Sequence, residues 1–213
     1  MNLNNYYYYY KSALSSYLCD RIIQLGLQQT KQQALTGGFG DRDLTKQPLK
    51  KKELSTLKKK RNSHITWLEH PWIYSELGPY IHEANEKAGW NFQWDWSEPC
   101  QFTKYKLNQH YDWHCDSWTE PYNTPDNLGF HGKIRKLSVA LSLSDPKDYK
   151  GGDFEFDFRN KDPDKKRHVV KCKELKTKGS IVIFPSFVWH RVKPVTKGKR
   201  YSLVMWNLGH PFK

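Results

Sequence analysis

One stretch of the chain concentrates residues that can do chemistry: Tyr105-Lys-Leu-Asn108-Gln-His110-Tyr111-Asp112-Trp113-His114-Cys115-Asp116. In an extended strand, residues two apart share a face, so a His-x-Asp pair can present an imidazole and a carboxylate to one metal ion. The stretch holds two such pairs in the same parity, His110/Asp112 and His114/Asp116, and the residues themselves leave the choice open. A distant third ligand would complete a two-His-one-carboxylate face, leaving three positions of an octahedral iron for small ligands. An isolated His-x-Asp is ordinarily a polar surface pair, so the inference needs other residues.

The last quarter of the chain supplies them. Phe184-Pro185-Ser186-Phe187-Val188-Trp189-His190 sets a histidine on a new strand after a turn. Arg200 follows ten residues later, with Ser202 on the same face of its strand. A guanidinium grips a carboxylate in a fixed two-pronged fork, which a lysine does less well. A distal histidine followed by an inward Arg-x-Ser suits an iron site that also holds a dicarboxylate. Without these companions, His190 would read as a buried or turn histidine.

The elements that must position these residues are legible in part. Ser15 or Ser16 can cap a helix through about Leu27, in which Leu18, Ile22, Ile23 and Leu27 recur at helical spacing. A second helix begins near Pro71 and carries Leu77, Ile81, Ala84 and Ala88 on one face, with Gly78–Pro79 expected to break it. Residues 35–63, with Gly37–Gly38, Pro48 and many lysines, read as a long loop. The period then changes to two. Trp90, Phe92, Trp94 and Trp96 predict a half-buried strand, as do Leu137–Leu143, Phe154–Phe158 and Arg200–Leu208, while Ser180–Phe184 is a short apolar run. Turn residues punctuate the intervals at Pro125–Gly129, Gly151–Gly152, Pro163, Gly179, Pro194 and Gly198. The tyrosine run Tyr6–Tyr10 reads as an extended entry into the fold. Many short strands behind a helical front predict a sandwich or barrel with helices packed on one sheet.

Composition bounds the class. With 213 residues, 15% of them aromatic, including nine Trp, the chain can fill one core. No apolar run is long enough to span a bilayer, and the first ten residues lack a basic-then-apolar leader, so a soluble, cytoplasmic protein is expected. Cys19, Cys100, Cys115 and Cys172 are scattered, as reduced thiols would be. The formal charge of +13 favours anionic partners, whether acidic protein, nucleic acid or small anion. Much of it lies in Lys46, Lys50–Lys52 and Lys58–Arg61, which read first as a solvated basic segment.

The pattern Tyr105-x-x-Asn108-x-x-Tyr111-x-x-His114-x-Asp116, then His190, then Arg200, resembles the 2-oxoglutarate/Fe(II) oxygenases of the prolyl-hydroxylase group, in particular the bacterial and phage PKHD-type hydroxylases. The similarity spans roughly Gln101 to Trp206, and the tyrosine spacing selects His114/Asp116 over His110/Asp112. Asn108 departs from the glycine common in relatives; asparagine tolerates the positive φ of a tight turn. The resemblance implies a mostly β fold with supporting helices: a double-stranded β-helix, or jelly roll, of eight strands in two facing sheets. Residues 98–213 would be its core and residues 1–97 an integrated helical and loop support. It further implies Fe(II) on His114, Asp116 and His190. 2-Oxoglutarate would lie against Arg200 with Tyr105, Tyr111 and Ser202, O2 would be the oxidant, and ascorbate an optional reductant. Ser117–Lys133, directly after the ligand pair, would be a lid or a passive connection, and Trp113, Trp118 and Trp189 would pack around the ligands.

Three functions follow for comparison. The first is hydroxylation of an amino-acid side chain, prolyl foremost, in a peptide or protein, with release of succinate and CO2. The second is oxidative demethylation of nucleic acid, suggested by the charge. Enzymes of that kind carry a second arginine six residues past the first, where this chain has Trp206. The third is a non-catalytic basic binding module, which would have no use for three ligands and Arg200 together.

Overall fold

A computed structural model describes residues 5–29, 32–36, 46–158 and 168–212. The first part of the chain forms β1 (Tyr8–Tyr10), α1 (Ser16–Gln28), β2 (Gln32–Gln33), α2 (Lys51–Lys60), β3 (Arg61–Asn62), β4 (His64–Leu68) and α3 (Pro71–Lys87). The remainder is β5 (Trp96–Ser97), β6 (Cys100–Tyr105), β7 (His110–His114), β8 (Ile134–Ser142), β9 (Tyr149–Gly151), β10 (Phe154–Asp157) and β11 (Val169–Lys171). After one 3₁₀ turn (Glu174–Lys176) come β12 (Ile181–Pro185), β13 (Trp189–Val192), β14 (Val195–Gly198) and β15 (Arg200–Gly209).

The strands make a jelly roll. The major sheet runs β1-β12-β8-β15-β6-β4-β2, with β5 also paired to β15; the facing sheet runs β11-β10-β13-β7-β3; β9 and β14 form a ribbon. Side-chain alternation divides the major sheet into two faces. Leu137, Val139 and Leu141 of β8, Leu203 and Met205 of β15, and Ile181 and Ile183 of β12 form one core with Ile22 of α1 and Ile73, Leu77 and Ile81 of α3. The opposite parity points between the sheets. On β12 it is apolar, with Val182 and Phe184 packed on Phe154 and Phe156. Along β8 and β15 it carries Ser138, Ser142, Arg200 and Ser202, all buried. A strand that spends buried positions on hydroxyls and a guanidinium is building a site.

The helices start as expected. Ser15 Oγ accepts the Leu18 N–H at 3.3 Å, capping α1, and Pro71 occupies the first turn of α3. Three expectations need correction. Gly78–Pro79 does not break α3, which runs through Pro79 to Lys87. Pro79 faces solvent, so the carbonyl it orphans can turn to water while Ile73, Leu77 and Ile81 hold the opposite face to the sheet. The expected loop 35–63 contains α2. Glu53 accepts the Lys50 N–H at 2.8 Å, Lys58–Lys60 complement the helix C-terminus, and Leu57 anchors the helix by burial. Trp90–Trp96 alternates in burial but is a strand only at Trp96–Ser97. Asn85 of α3 replaces the missing ladder: its side chain accepts from Phe92 N–H and donates to Phe92 O, both at 3.0 Å. Gly37–Gly38 and Pro163 lie outside the described residues.

The tyrosine run has a structural role. β1 pairs with β12 at the edge of the major sheet, Tyr10 donates to Glu83 at 2.9 Å, and Tyr7 stacks on Phe156 with centroids 4.9 Å apart.

Candidate active site

β7 and β13 lie side by side in the facing sheet, with His114 paired to His190. Each imidazole is pinned through Nδ1, His114 to Asp112 O at 2.8 Å and His190 to Val188 O at 2.9 Å. A carbonyl can only accept, so Nδ1 carries the hydrogen and Nε2 is left as the donor atom for a metal. Asp116 follows the end of β7. Its backbone N–H and that of Ser117 both donate to Ser186 O, at 2.8 and 3.0 Å. Its carboxylate accepts Ser138 Oγ at 2.7 Å, and the Ser138 and Ser186 hydroxyls lie 2.9 Å apart. One ligand atom each from His114, Asp116 and His190 all fall within 4.8 Å of one another.

The charge states suit a cation. Burial, reinforced by His190, pushes the His114 imidazolium well down, so the ring is neutral. Burial would raise the Asp116 carboxyl, but the neighbouring charges, His190 first and Arg135 among them, outweigh it and hold it at about 2. Neutral imidazole and ionised carboxylate are the forms that bind metal. Rings then immobilise the cluster. Tyr111 lies on His114 at 3.5 Å and 13°, and its hydroxyl meets Thr36 Oγ1 at 2.8 Å. The Arg61 guanidinium covers Tyr111 at 4.3 Å, and Phe184 and Phe154 flank His190 at 4.7 and 5.4 Å.

Arg200 opens the second half of the site. It is 3% exposed, sits opposite Tyr105 on β6, and lies 5.4 Å from that ring. Its Nη1 donates to Ser202 Oγ at 3.2 Å, and among the described residues no carboxylate pairs with it. Ser142, directly across from Ser202, has a buried hydroxyl without a hydrogen-bond partner. Gly152 lets the β9–β10 turn close over this arginine, because a Cβ there would come within 2.9 Å of Arg200 Cδ. Leaving a guanidinium buried without an anion is costly. The pocket therefore fits a carboxylate, as the His-Asp-His cluster fits Fe(II).

The competing pair separates from the site. His110 Nε2 lies 3.0 Å from Lys59 O and its Nδ1 3.3 Å from Asn108 O, so one N–H of the ring donates to one of these carbonyls, and the residue is not in the cluster. Asn108 adopts the positive φ expected of it, +61°. Trp113 is buried beneath the Arg191 guanidinium at 4.5 Å, whereas Trp118 is 53% exposed. In the loop 117–133, Trp118, Tyr122 and Phe130 form an edge-to-face chain that ends on Trp96.

Sequence reasoning missed Ser138, Ser186, Arg61 and the pair Arg135–Glu98, joined at 2.5 and 2.6 Å with the guanidinium 3.9 Å over Trp206. Serines at alternate positions of an otherwise apolar strand were the available signal for Ser138. Arg61 was hidden as the last member of a lysine run.

The family model described as the 2OG-Fe(II) oxygenase superfamily matches residues 100–207, about half of the chain, from β6 to β15. A PKHD-type hydroxylase of Pseudoalteromonas atlantica is 31% identical over 110 residues, 51% of this chain and 42% of the relative. Another, of Alteromonas mediterranea, is 34% identical over 109 residues, again 51% and 42%. The chain thus spans less than half the length of these curated relatives. Among solved structures, a viral collagen prolyl hydroxylase of Paramecium bursaria Chlorella virus-1 superposes with a TM-score of 0.60 at 18% identity, covering 97% of both chains. A Pseudomonas putida prolyl-4-hydroxylase gives 0.61 at 18%, over 96% of this chain and 93% of the other. At such identities these structures speak for the fold, while the family match takes in both ligand strands and the Arg200 strand: the chain belongs to the 2OG-Fe(II) oxygenase superfamily.

Proposed function

We propose that this chain is an Fe(II)- and 2-oxoglutarate-dependent dioxygenase that hydroxylates an amino-acid side chain, prolyl foremost, in a peptide or protein. The observation that carries the reading is the pairing of a three-ligand cluster with Arg200, a buried guanidinium with no carboxylate partner among the described residues. In this reading His114, Asp116 and His190 hold the iron, and Arg200 anchors the distal carboxylate of 2-oxoglutarate with help from Ser202 and Tyr105. When bound, iron, 2-oxoglutarate and O2 supply the oxidising power, yielding succinate and CO2.

The chain's own residues prepare that chemistry. The Asp112 and Val188 carbonyls fix the two imidazole tautomers, and Ser138 orients the Asp116 carboxylate. Tyr111, Phe154 and Phe184 wall the histidines with rings, which limits their motion and keeps water away. A polypeptide substrate is supported by the solved neighbours, described as prolyl hydroxylases, one of them from Trichoplax adhaerens in complex with a peptide fragment. The four cysteines, none of them in a disulfide, support a reducing, cytoplasmic setting. We take residues 98–213 as the catalytic core and residues 1–97 as its support.

Anaerobic titration with Fe(II) and 2-oxoglutarate, followed by succinate release in air, tests this directly. Saturable binding of both and succinate formation that requires both are expected; absence of binding would overturn the proposal.

A further inference from the structure

Helix α2 leaves an unassigned feature beside the site. Its outer face and the start of β7 enclose an open cleft of about 530 Å³, lined by Lys51, Leu54, Ser55, Lys58, Lys59 and His110. Among the described residues, none of Lys51, Lys58 and Lys59 has a carboxylate partner, and no acidic side chain lines the cleft. The helix is fastened to the ligand strand itself. Lys60 Nζ donates to Trp113 O at 2.5 Å, His110 Nε2 lies against Lys59 O, and β3, which follows α2 without a gap, pairs with β7. A segment of chain read from sequence as a solvated basic loop is therefore a helical, lysine-faced ledge fastened to the strand that ends in His114.

We infer that this cleft docks an acidic segment of the polypeptide substrate, so that the protein selects targets whose reactive side chain lies near a run of carboxylates. The inference rests on the hydroxylase reading and extends it to substrate choice. Charge complementarity gives the sign of the occupant. Lysines around Leu54, with no Phe, Tyr or Trp among the lining residues and with the one ring, His110, held against the Lys59 and Asn108 carbonyls, favour acidic peptide over single-stranded nucleic acid. The geometry also sets a spacing. From His110 to His114 is four strand residues, about 13 Å, a span that about four extended peptide residues cover. The acidic run should begin no closer than that to the modified residue.

Because the substrate is unidentified, the probe is a fluorescein-labelled peptide of alternating glutamate and proline, about twelve residues long. Binding to the full chain is followed by anisotropy at about 50 and about 200 mM salt. A lysine–proline peptide and oligo-dT of matching length are the comparisons. The acidic peptide should bind, more weakly at the higher salt. Lys51→Glu/Lys58→Glu/Lys59→Glu should weaken it about tenfold or more, and the matching triple change to Gln should do so to a lesser degree. Lys147→Glu/Lys197→Glu/Lys199→Glu, which alters net charge equally at exposed sites elsewhere, should change it less than about twofold.

Equal losses in the two charge-reversed triples would reduce the effect to net charge and overturn the proposal. So would absence of peptide binding, or tighter binding of oligo-dT that the cleft triple abolishes. Fe(II) and 2-oxoglutarate binding, measured on the same samples, separates the two levels. A wild-type chain that binds neither defeats the hydroxylase reading; normal binding of both, without cleft-selective loss of the peptide, defeats only the docking cleft.

Discussion

The Ser138 hydroxyl donates to Asp116 Oδ2 at 2.7 Å, from the strand opposite the one that leads into the carboxylate. It also meets Ser186 Oγ at 2.9 Å, and Ser186 O receives the Asp116 backbone N–H. Asp116 is thus fixed at both ends, with its oxygens 3.7 and 3.5 Å from the Nε2 atoms of His114 and His190. Partners of this kind typically contribute about 10–100-fold to metal affinity. Ser138→Ala should weaken Fe(II) binding by about tenfold or more, while costing only about 1 kcal/mol of stability. Anaerobic metal titration alongside urea unfolding separates the two effects, and an unchanged iron affinity would remove Ser138 from the site.

Arg200→Ala should strike the co-substrate rather than the metal. Removing one partner of a buried charge pair costs about 2 kcal/mol or more, so 2-oxoglutarate affinity should fall at least about 30-fold, with iron affinity nearly unchanged. Arg200→Lys should recover part of the loss, since the charge returns without the fork. Isothermal titration with each ligand reads this, and equal losses for both ligands would contradict the assignment.

The two His-x-Asp pairs make a paired test. His114→Ala should abolish Fe(II) binding and succinate release. His110→Ala should leave both largely intact, because its ring lies against the Lys59 and Asn108 carbonyls and is not in the cluster. The opposite pattern would show that the wrong pair had been chosen.

Thiol chemistry should reveal burial. Cys19 is pushed up to about 11, and Cys100 and Cys172 to about 12, in each case mainly by desolvation of the thiolate. Only the half-buried Cys115 should react promptly with a disulfide reagent at pH 8, and all four should react in denaturant. The same shifts set an alkaline limit. A group whose folded pKa is raised contributes stability in full below its unfolded value near 9 and loses it as pH climbs toward 11–12. The urea midpoint should therefore be level from pH 7 to 8 and fall by pH 10; a midpoint that rises with pH would contradict this.

Asn108 holds a left-handed conformation, φ +61°, while its N–H donates to Val195 O at 2.8 Å. Asn108→Ala should cost about 1 kcal/mol through backbone strain, and Asn108→Gly should be neutral or better. Thermal unfolding of the two variants distinguishes this from a side-chain role, in which both would lose equally.

The chemistry of the site was written locally, and so it was legible. His114 is the last residue of β7 and Asp116 lies just past it, close enough for the His-x-Asp spacing to hold; Arg200 and Ser202 share a face because they are two apart in β15. The strands of the core announced themselves through period-two alternation, and α1 through Ser15. Misreadings arose where a distant group supplied what local pattern lacked. Asn85 stands in for a neighbouring strand at Phe92, so alternation there did not mean a ladder. Leu57 is the one buried residue of α2, and with the Glu53 cap and the Lys60 bond to Trp113 O it makes a helix of a lysine-rich segment.

By itself, then, the sequence determined which residue types face inward and which of them could bind a metal and a dicarboxylate, because strand parity and side-chain chemistry are properties of short stretches. It did not determine their company. That Ser138 holds Asp116, that Arg61 covers Tyr111 on His114, and that Arg200 lies buried beside Ser202 were decided by the pairing of β7, β8, β13 and β15 across distant parts of the chain. Such contacts depend on sheet register and on the burial that register imposes, and neither can be read from the spacing of residues along one strand.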